Sequence, residues 1–256
     1  MPAAEATDAW DPQQYTRFQA ERDQPFLDLL ALVEPVDRPV VADLGCGDGR
    51  LTALAHERLG AASTLGIDNS PAMLAEAQPG DGLRFELGDI AAWSGEADVI
   101  LANASLQWVP DHPTVIDRWR ASLRPGGQLA VQVPTNADHP SHLVAAEVAA
   151  ELDLPIEPDP VERNVLRPER YAQLLVDLGA ERQHVRLQVY AHPMSSSADV
   201  VEWVKGTTLT RVKRVTDAAG YEHFLERYRA RLLEVIGDRS PYTYLFKRVL
   251  FCAMFA

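Results

Sequence analysis

The chain has 256 residues, of which 46% are hydrophobic and 24% charged, and a formal net charge of −13. That length suits one large α/β domain with an appendage. The charge disfavours a surface that grips nucleic acid, and no apolar run approaches the roughly 20 residues of a membrane span.

Two cysteines, Cys46 and Cys252, imply no disulfide framework and fit a reducing cytoplasm. The charge is uneven. Residues 1–194 hold 14 Lys/Arg against 30 Asp/Glu, whereas 195–256 hold 10 against 7. An anion is therefore repelled least by the last quarter of the chain. Residues 1–9 read as a frayed terminus without the basic and apolar regions of a leader.

From Asp11-Pro12 a helix can start. Tyr15, Phe18, Arg22 and Phe26 recur at helical spacing, and an apolar face continues to about Glu34-Pro35. It reads as a helix on the core or as a lid over the glycine turn next in the chain. Val40 to Leu44 is a buried strand that breaks into that turn, Gly45-Cys-Gly47-Asp-Gly49, before a helix at about 50–59. Strand, glycine turn and helix in that order make a nucleotide-type site, because glycine lets the backbone turn tightly and approach a ligand. The spacing is Gly-x-Gly-x-Gly, not the dinucleotide pattern.

Ser63 to Asp68 is a second strand ending in an acid about 20 residues beyond the turn, where an acid binds ribose hydroxyls in related folds. Asn69 comes next, and Ser70-Pro71 caps a helix over 72–77. Leu83 to Leu87 is a third strand, leading to Asp89 and Ile90. Ala97 to Asn103 is a fourth, apolar on both faces as a central parallel strand is. It runs into Gln107, Trp108 and His112. His112 reads as a helix-start or surface residue with no identifiable partner, and Trp108 as either core or pocket wall.

A helix bearing Ile116, Trp119 and Leu123 ends in the turn Arg124-Pro-Gly-Gly127, and 128–133 is strand five. Residues 134–168 read as a proline-rich, loop-like insertion with one helix at 141–152. A helix at 168–178 and a strand at 185–190 come after it. Val201, Val204, Thr208, Val212 and Val215 form a helical stripe amid Lys205, Arg211, Lys213 and Arg214. A second amphipathic helix ends at Gly237, and an apolar strand closes the chain. No cluster of Cys and His suggests a metal.

Asp43-Leu-Gly45-x-Gly47-x-Gly49 resembles motif I of the class I S-adenosylmethionine-dependent methyltransferases. The resemblance implies a Rossmann-like, doubly wound α/β sheet of seven strands, the last antiparallel, with a helical cap. On that reading 1–256 is a single domain, with core about 35–194 plus 243–256 and lid or cap over 1–34 and 195–242. It implies S-adenosylmethionine as cofactor, held by Asp43, Gly45, Gly47, Gly49, Asp68, Asn69, Asp89, Ile90 and Asn103. Asp89 would accept from the adenine amino group, with Ile90 beside the ring.

A narrower resemblance is to the trans-aconitate 2-methyltransferase family. It rests on Trp10-Asp-Pro-x-x-Tyr15-x-x-Phe18 through Leu30, on Asn103-Ala-x-Leu-Gln-Trp-Val-Pro-Asp-His112, on Trp203-Val-Lys-Gly-Thr207 and on Arg248-x-x-Phe. It implies methylation of a carboxylate of a small polycarboxylic acid. A carboxylate is ionised near neutrality, so positioning suffices and no catalytic base is expected. Arg211 is the first choice to hold the remaining carboxylates, with Arg22, Lys205 and Arg214 behind it, since guanidinium pairs with carboxylate in bidentate fashion. Tyr15, Gln107, Trp108 and Trp203 would line the pocket. The expected protein is a cytoplasmic monomer with no nucleic acid or membrane partner. The alternatives are a methyltransferase for an acyl-chain carboxylate or quinone precursor, and a non-catalytic module that only holds the cofactor.

Overall fold

The structure is a computed structural model that describes the backbone from Gln19 to Ala256 and side chains from Asp23 onward. Tyr15 and the side chain of Arg22 lie outside the described residues.

Seven strands form one sheet in the order β3-β2-β1-β4-β5-β7-β6. They are β1 (Val40–Leu44), β2 (Ser63–Asp68), β3 (Leu83–Leu87), β4 (Ala97–Asn103), β5 (Leu123–Pro134), β6 (Ala180–Met194) and β7 (Tyr242–Phe255). The helices among the described residues are α1 (Gln19–Leu30), α2 (Arg50–Arg58), α3 (Pro71–Leu74), α4 (His112–Ala121) and α5 (Pro140–Glu151), then α6 (Pro160–Asn164), α7 (Pro168–Asp177), α8 (Asp199–Lys205), α9 (Thr210–Lys213) and α10 (Ala218–Ile236).

β1 pairs in parallel with β2 and β4, β2 with β3, and β4 with β5; β7 returns antiparallel to β5. The expected doubly wound sheet with an antiparallel last strand is the one observed.

Alternation along each strand divides the core into two apolar layers. Ile100, Ala102, Leu129, Val131, Phe251 and Ala253 bury against Val115, Ile116 and Trp119 of α4 and Tyr171 and Leu175 of α7. Val99, Leu101, Ala130, Leu250 and Cys252 face the other way, toward Phe26, Leu29 and Leu30 of α1 and Ala55 of α2. Both faces are covered, which is why β4 reads as one apolar run.

The chain divides into two compact units. The larger holds Ala20–Thr135, Pro160–Tyr190 and Phe246–Ala256; the smaller includes Asn136–Asp159 and Ala191–Leu245. Within the smaller unit α5 packs on α10, and Tyr228 Oη donates to the Ser141 carbonyl at 2.9 Å.

Several local readings change. Within the stretch expected as a loop-like insertion, the helix expected at 141–152 is α5, but it is no surface element: its His142, Val144, Ala145, Val148 and Ala149 are buried in the smaller unit. Its apolar residues lie all round rather than along one stripe, as in a helix covered on several sides. The turn Arg124-Pro-Gly-Gly127 lies inside β5 as a bulge. Ala97 pairs with Leu123, and the register then resumes at Val99 with Gln128. Gly126 takes φ +78°, and a Cβ on Gly127 would sit 2.7 Å from the Arg124 carbonyl oxygen. The stripe from Val201 to Val215 is two short helices, α8 and α9. Gly206 ends the first, and the Thr207 and Thr210 hydroxyls take the carbonyls of Val204 and Thr207 instead of leaving them to a continuous ladder.

Candidate functional site

The site forms where β1 to β4 end, wholly within the larger unit. After Leu44 the backbone turns through Gly45 at φ +89°, Gly47 at +57° and Gly49 at +74°. L-residues with a Cβ avoid this region, which accounts for glycine at alternate positions. Gly45 N and Cys46 N both donate to the Ile67 carbonyl, at 2.7 and 3.0 Å, tying the turn to the end of β2. A Cβ on Gly45 would stand 2.2 Å from Ser105 Cβ, and the Ser105 hydroxyl donates to the Leu44 carbonyl at 2.6 Å. The turn is thus clamped from β4 as well. On Gly49 the added carbon would meet the Phe85 ring at 2.6 Å.

Asp68 joins the turn to the next helix. Its Oδ2 accepts from Gly47 N at 2.8 Å and its Oδ1 from Ser70 N at 2.9 Å. Each carboxylate oxygen has a second lone pair, and the residue is half-buried, so the anchored acid still offers acceptor capacity outward. Ser70 Oγ caps α3 by accepting from Met73 N. Asn69 beside it is exposed.

Asp43 sits beneath the turn. It is 3% exposed, and Thr52 Oγ1 donates to it at 2.6 Å. Burial pushes its carboxyl up to about 6 against the opposing pull of Thr52, and the charge of Asp68 adds to the rise. Its contact is with α2, so it supports the turn from inside. Burial and the neighbouring acids also push the Cys46 thiol well above its ordinary range, leaving it an inert packing residue.

Asp89 is exposed and accepts from Ala91 N at 2.9 Å. The loop is held from α4: Trp119 Nε1 donates to the Ile90 carbonyl at 2.9 Å, and Arg118 Nη1 donates to that of Ala91. Ile90 itself is buried.

Beyond β4 the chain is under local strain. Ala104 takes φ +53°, unusual for a residue with a Cβ and frequent at functional sites. Asn103 Oδ1 is buried and receives no hydrogen bond. Gln107 is buried, its Nε2 donates to the Ala104 carbonyl at 2.7 Å, and its Oε1 likewise receives none. Asn164 Nδ2 fixes the same segment by donating to the Gln107 carbonyl at 2.9 Å. Trp108 is exposed. His112, read from sequence as a helix-start or surface residue, is buried at the start of α4. Its Nε2 lies 2.9 Å from the Leu106 carbonyl and its Nδ1 2.6 Å from Tyr171 Oη. A carbonyl only accepts, so Nε2 carries the proton and Tyr171 donates to Nδ1. Burial holds this imidazole below its usual range, and it is neutral and structural.

The remaining candidates belong to the smaller unit. Trp203 is buried, stacked on His192 with 4.8 Å between ring centroids. Lys205 pairs with Glu202 at 2.8 Å. Arg211 is buried, its Nη1 donating to the Glu157 carbonyl at 3.1 Å. Asp159, 3.9 Å from Arg211 Nη2, also binds His142 Nδ1 at 2.7 Å. Arg214 is exposed. The structure therefore gathers the glycine turn, Asp68, Asp89, Asn103 and Gln107 along the strand ends of one unit, and holds Trp203, Lys205, Arg211 and Arg214 in the other.

Such a glycine turn, with one acid ending the next strand and another just past the strand after it, on a sheet ordered 3-2-1-4-5-7-6, defines a methyltransferase. The family model described as "Methyltransferase domain" matches residues 41–127. The chain belongs to the trans-aconitate 2-methyltransferase family. It is 42% identical over 253 residues to the trans-aconitate 2-methyltransferase of Deinococcus radiodurans, covering 95% of this chain and 97% of that one. To the protein of that description from Escherichia coli it is 40% identical, covering 88% and 89%. Among solved structures, the YcgJ protein of Bacillus subtilis superposes with a TM-score of 0.57 at 13% identity, covering 91% of this chain and 98% of that one. Haemonchus contortus phosphoethanolamine N-methyltransferase 2, solved with S-adenosyl-L-methionine, gives 0.57 at 14%, covering 91% and 52%. At those identities the likeness is one of fold.

Proposed function

We propose that the protein transfers a methyl group from S-adenosylmethionine to a carboxylate oxygen of a small polycarboxylic acid, and that the acid is trans-aconitate. The observation that carries this reading is the 42% identity to the Deinococcus radiodurans enzyme across 95% of the chain. That match runs far beyond the glycine turn common to many methyltransferases.

The residues at the ends of β1 to β4 fit the cofactor. Its ribose hydroxyls, adenine amino group and α-ammonium are donors, and this edge presents acceptors: Asp68, Asp89 and the buried Asn103 Oδ1. When bound, S-adenosylmethionine supplies a methyl carbon already activated by a cationic sulfur. The glycine turn admits close backbone approach, Asp68 orients hydroxyls, and Asp89 and Ile90 take the base. The accepting carboxylate is ionised near neutrality, so the chain has no proton to remove. His112 is accordingly left to its structural bonds. The protein's contribution is to hold the reacting atoms in line and to strip water from the attacking oxygen.

For the carboxylates that do not react we assign Arg211 first, then Arg22, Lys205 and Arg214. No described helix is long and apolar enough to cross a membrane. We further read the protein as a cytoplasmic monomer that binds no nucleic acid, on its net charge of −13 and its two free, buried cysteines.

Purified protein given methyl-labelled S-adenosylmethionine and trans-aconitate should yield a base-labile labelled ester. No labelled product from trans-aconitate, cis-aconitate, citrate or isocitrate would overturn the reading. Binding of the cofactor without turnover on any acid would leave a holding module.

A further inference from the structure

The ligand edge of the larger unit changes character between β4 and β5. On β3, β2 and β4 it offers acceptors, namely Asp89, Asp68 and Asn103 Oδ1. On β5 and β7 it offers donors. Gln132 is fully buried near the carboxyl end of β5, and its Oε1 accepts from Arg248 Nη1 at 3.2 Å. That bond fixes the amide, because the reverse orientation would set an NH₂ against a guanidinium. Gln132 Nε2 is thereby left as a buried donor without a hydrogen-bond partner, an arrangement that proteins avoid unless something else supplies the acceptor.

Arg248 stands beside it by strand register. On β7 it lies opposite Pro134, the last residue of β5, and Gln132 lies opposite Leu250. Gln132 and Arg248 therefore share one face of the sheet. Arg248 is 6% exposed, and its guanidinium rests over the Phe246 ring at 4.7 Å. Asn103 is the in-register partner of Gln132 on β4, so this pair adjoins the cofactor half of the edge. Farther out on β6, Tyr190 Oη donates to Asp28 at 2.8 Å, and Tyr190 feels both Arg248 and Arg186.

We propose that Gln132 Nε2 and Arg248 form a carboxylate subsite at the end of β5 and β7, and that it takes a carboxylate of the acid being methylated. This deepens the acid-methylating reading and rests on it. A carboxylate has only acceptors, which is what an orphaned amide N–H beside a guanidinium lacks. Burial strengthens both bonds by excluding water. The place favours the acid over the cofactor's own carboxylate, because Asp68 and Asp89, which take the ribose and the base, lie on β2 and after β3, on the other side of β1 from β5.

The test combines steady-state kinetics with calorimetric titration. Gln132→Met should raise the KM for trans-aconitate by about tenfold or more and leave the affinity for S-adenosylhomocysteine nearly unchanged. Arg248→Lys keeps the charge but loses the planar fork, so its rise in KM should be smaller than that of Arg248→Met. Gln132→Glu, which replaces the Nε2 donor by an anionic oxygen facing the ligand's carboxylate, should abolish acid turnover while melting near the parent temperature.

Two results would overturn the subsite outright, and a third moves its test to binding. If Gln132→Met weakens S-adenosylhomocysteine but not 5′-methylthioadenosine, which lacks the amino-acid portion, the carboxylate is the cofactor's. If melting temperature falls while acid KM and cofactor affinity hold, the amides of Asn103 and Gln132 merely satisfy one another. If the parent protein methylates no acid, the proposed function fails and the subsite is judged by binding alone. Trans-aconitate titrated into protein saturated with S-adenosylhomocysteine then upholds it by binding that Gln132→Met loses, and refutes it by not binding.

Discussion

Two halves of one sheet edge are built by different means. On β1, β2 and β4 the ligand-facing atoms are fixed by backbone. Glycines at positive φ carry the turn, Asp68 accepts from the N–H groups of Gly47 and Ser70, and Ser105 wedges against Gly45. On β5 and β7 the polar atoms ride on regular strands, with Gln132 and Arg248 brought side by side by antiparallel register. The first half tolerates almost no change of shape. The second depends on the hydrogen-bonding character of two buried side chains.

Substitution at the turn should give the largest effect. Gly45→Ala forces a Cβ to within 2.2 Å of Ser105 Cβ at a positive φ. It should cost about 3 kcal/mol or more and eliminate binding of S-adenosylhomocysteine, as read by denaturant unfolding and calorimetry. Gly126→Ala is the control in the donor half's β5. It also has positive φ, +78°, but nothing lies within 4 Å of the added carbon, so about 1 kcal/mol is expected. Equal costs at the two glycines would mean that φ alone, not the Ser105 clamp, sets the rigidity of the turn.

Asp43 tests the support beneath the turn. Its carboxyl is raised from 3.8 to about 6 by burial, so the folded state binds the proton more tightly than the unfolded chain. Stability contributed by this group is present below about pH 4 and is lost as pH rises through about 6. Asp43→Asn should therefore be more stable than the parent above pH 6, by up to about 3 kcal/mol, with the difference vanishing below pH 4. A variant that is less stable at neutral pH would show that the charged form is needed by Thr52 and the turn.

A smaller effect is expected at Asp68. Both its oxygens accept from backbone N–H groups, so Asp68→Asn must turn one donor against another. About 1–2 kcal/mol of stability should be lost, and cofactor affinity should fall about tenfold. The acid KM at saturating cofactor should barely move. A matching rise in acid KM would erase the division of the edge into two halves.

The same division separates the residues legible in the sequence from those that are not. Glycines at alternate positions after an apolar strand are visible because only glycine takes that backbone, Asp68 is visible by its spacing from them, and Asp89 by the family resemblance. Gln132 and Arg248 leave no such trace. The second glutamine of Gln-Leu-Ala-Val-Gln-Val and an arginine in an apolar final strand look like ordinary strand residues. Arg248 stands out in the sequence only as a point of family resemblance. Likewise, the basic run around Arg211 is visible in the sequence, but not that the Glu157 carbonyl and Asp159, more than 50 positions earlier in the chain, come to its guanidinium. The helix at 140–151 is visible, but its burial in the smaller unit is not, because nothing local says which elements come to cover it.

The sequence by itself determined the local structure: strand, turn, helix, and the acids placed after them, since φ preferences and hydrophobic alternation act over a few residues. It also determined the family, through identity spread across the chain. Only the tertiary structure decided which polar atoms are left without partners. Asn103 Oδ1 and Gln132 Nε2 are unsatisfied because of the groups that pack around them, and that depends on strands joined far apart in sequence. The glycine turn names the methyl donor from within a dozen residues. The site that we propose for the acid depends on β7 folding back antiparallel beside β5, where Arg248 meets Gln132.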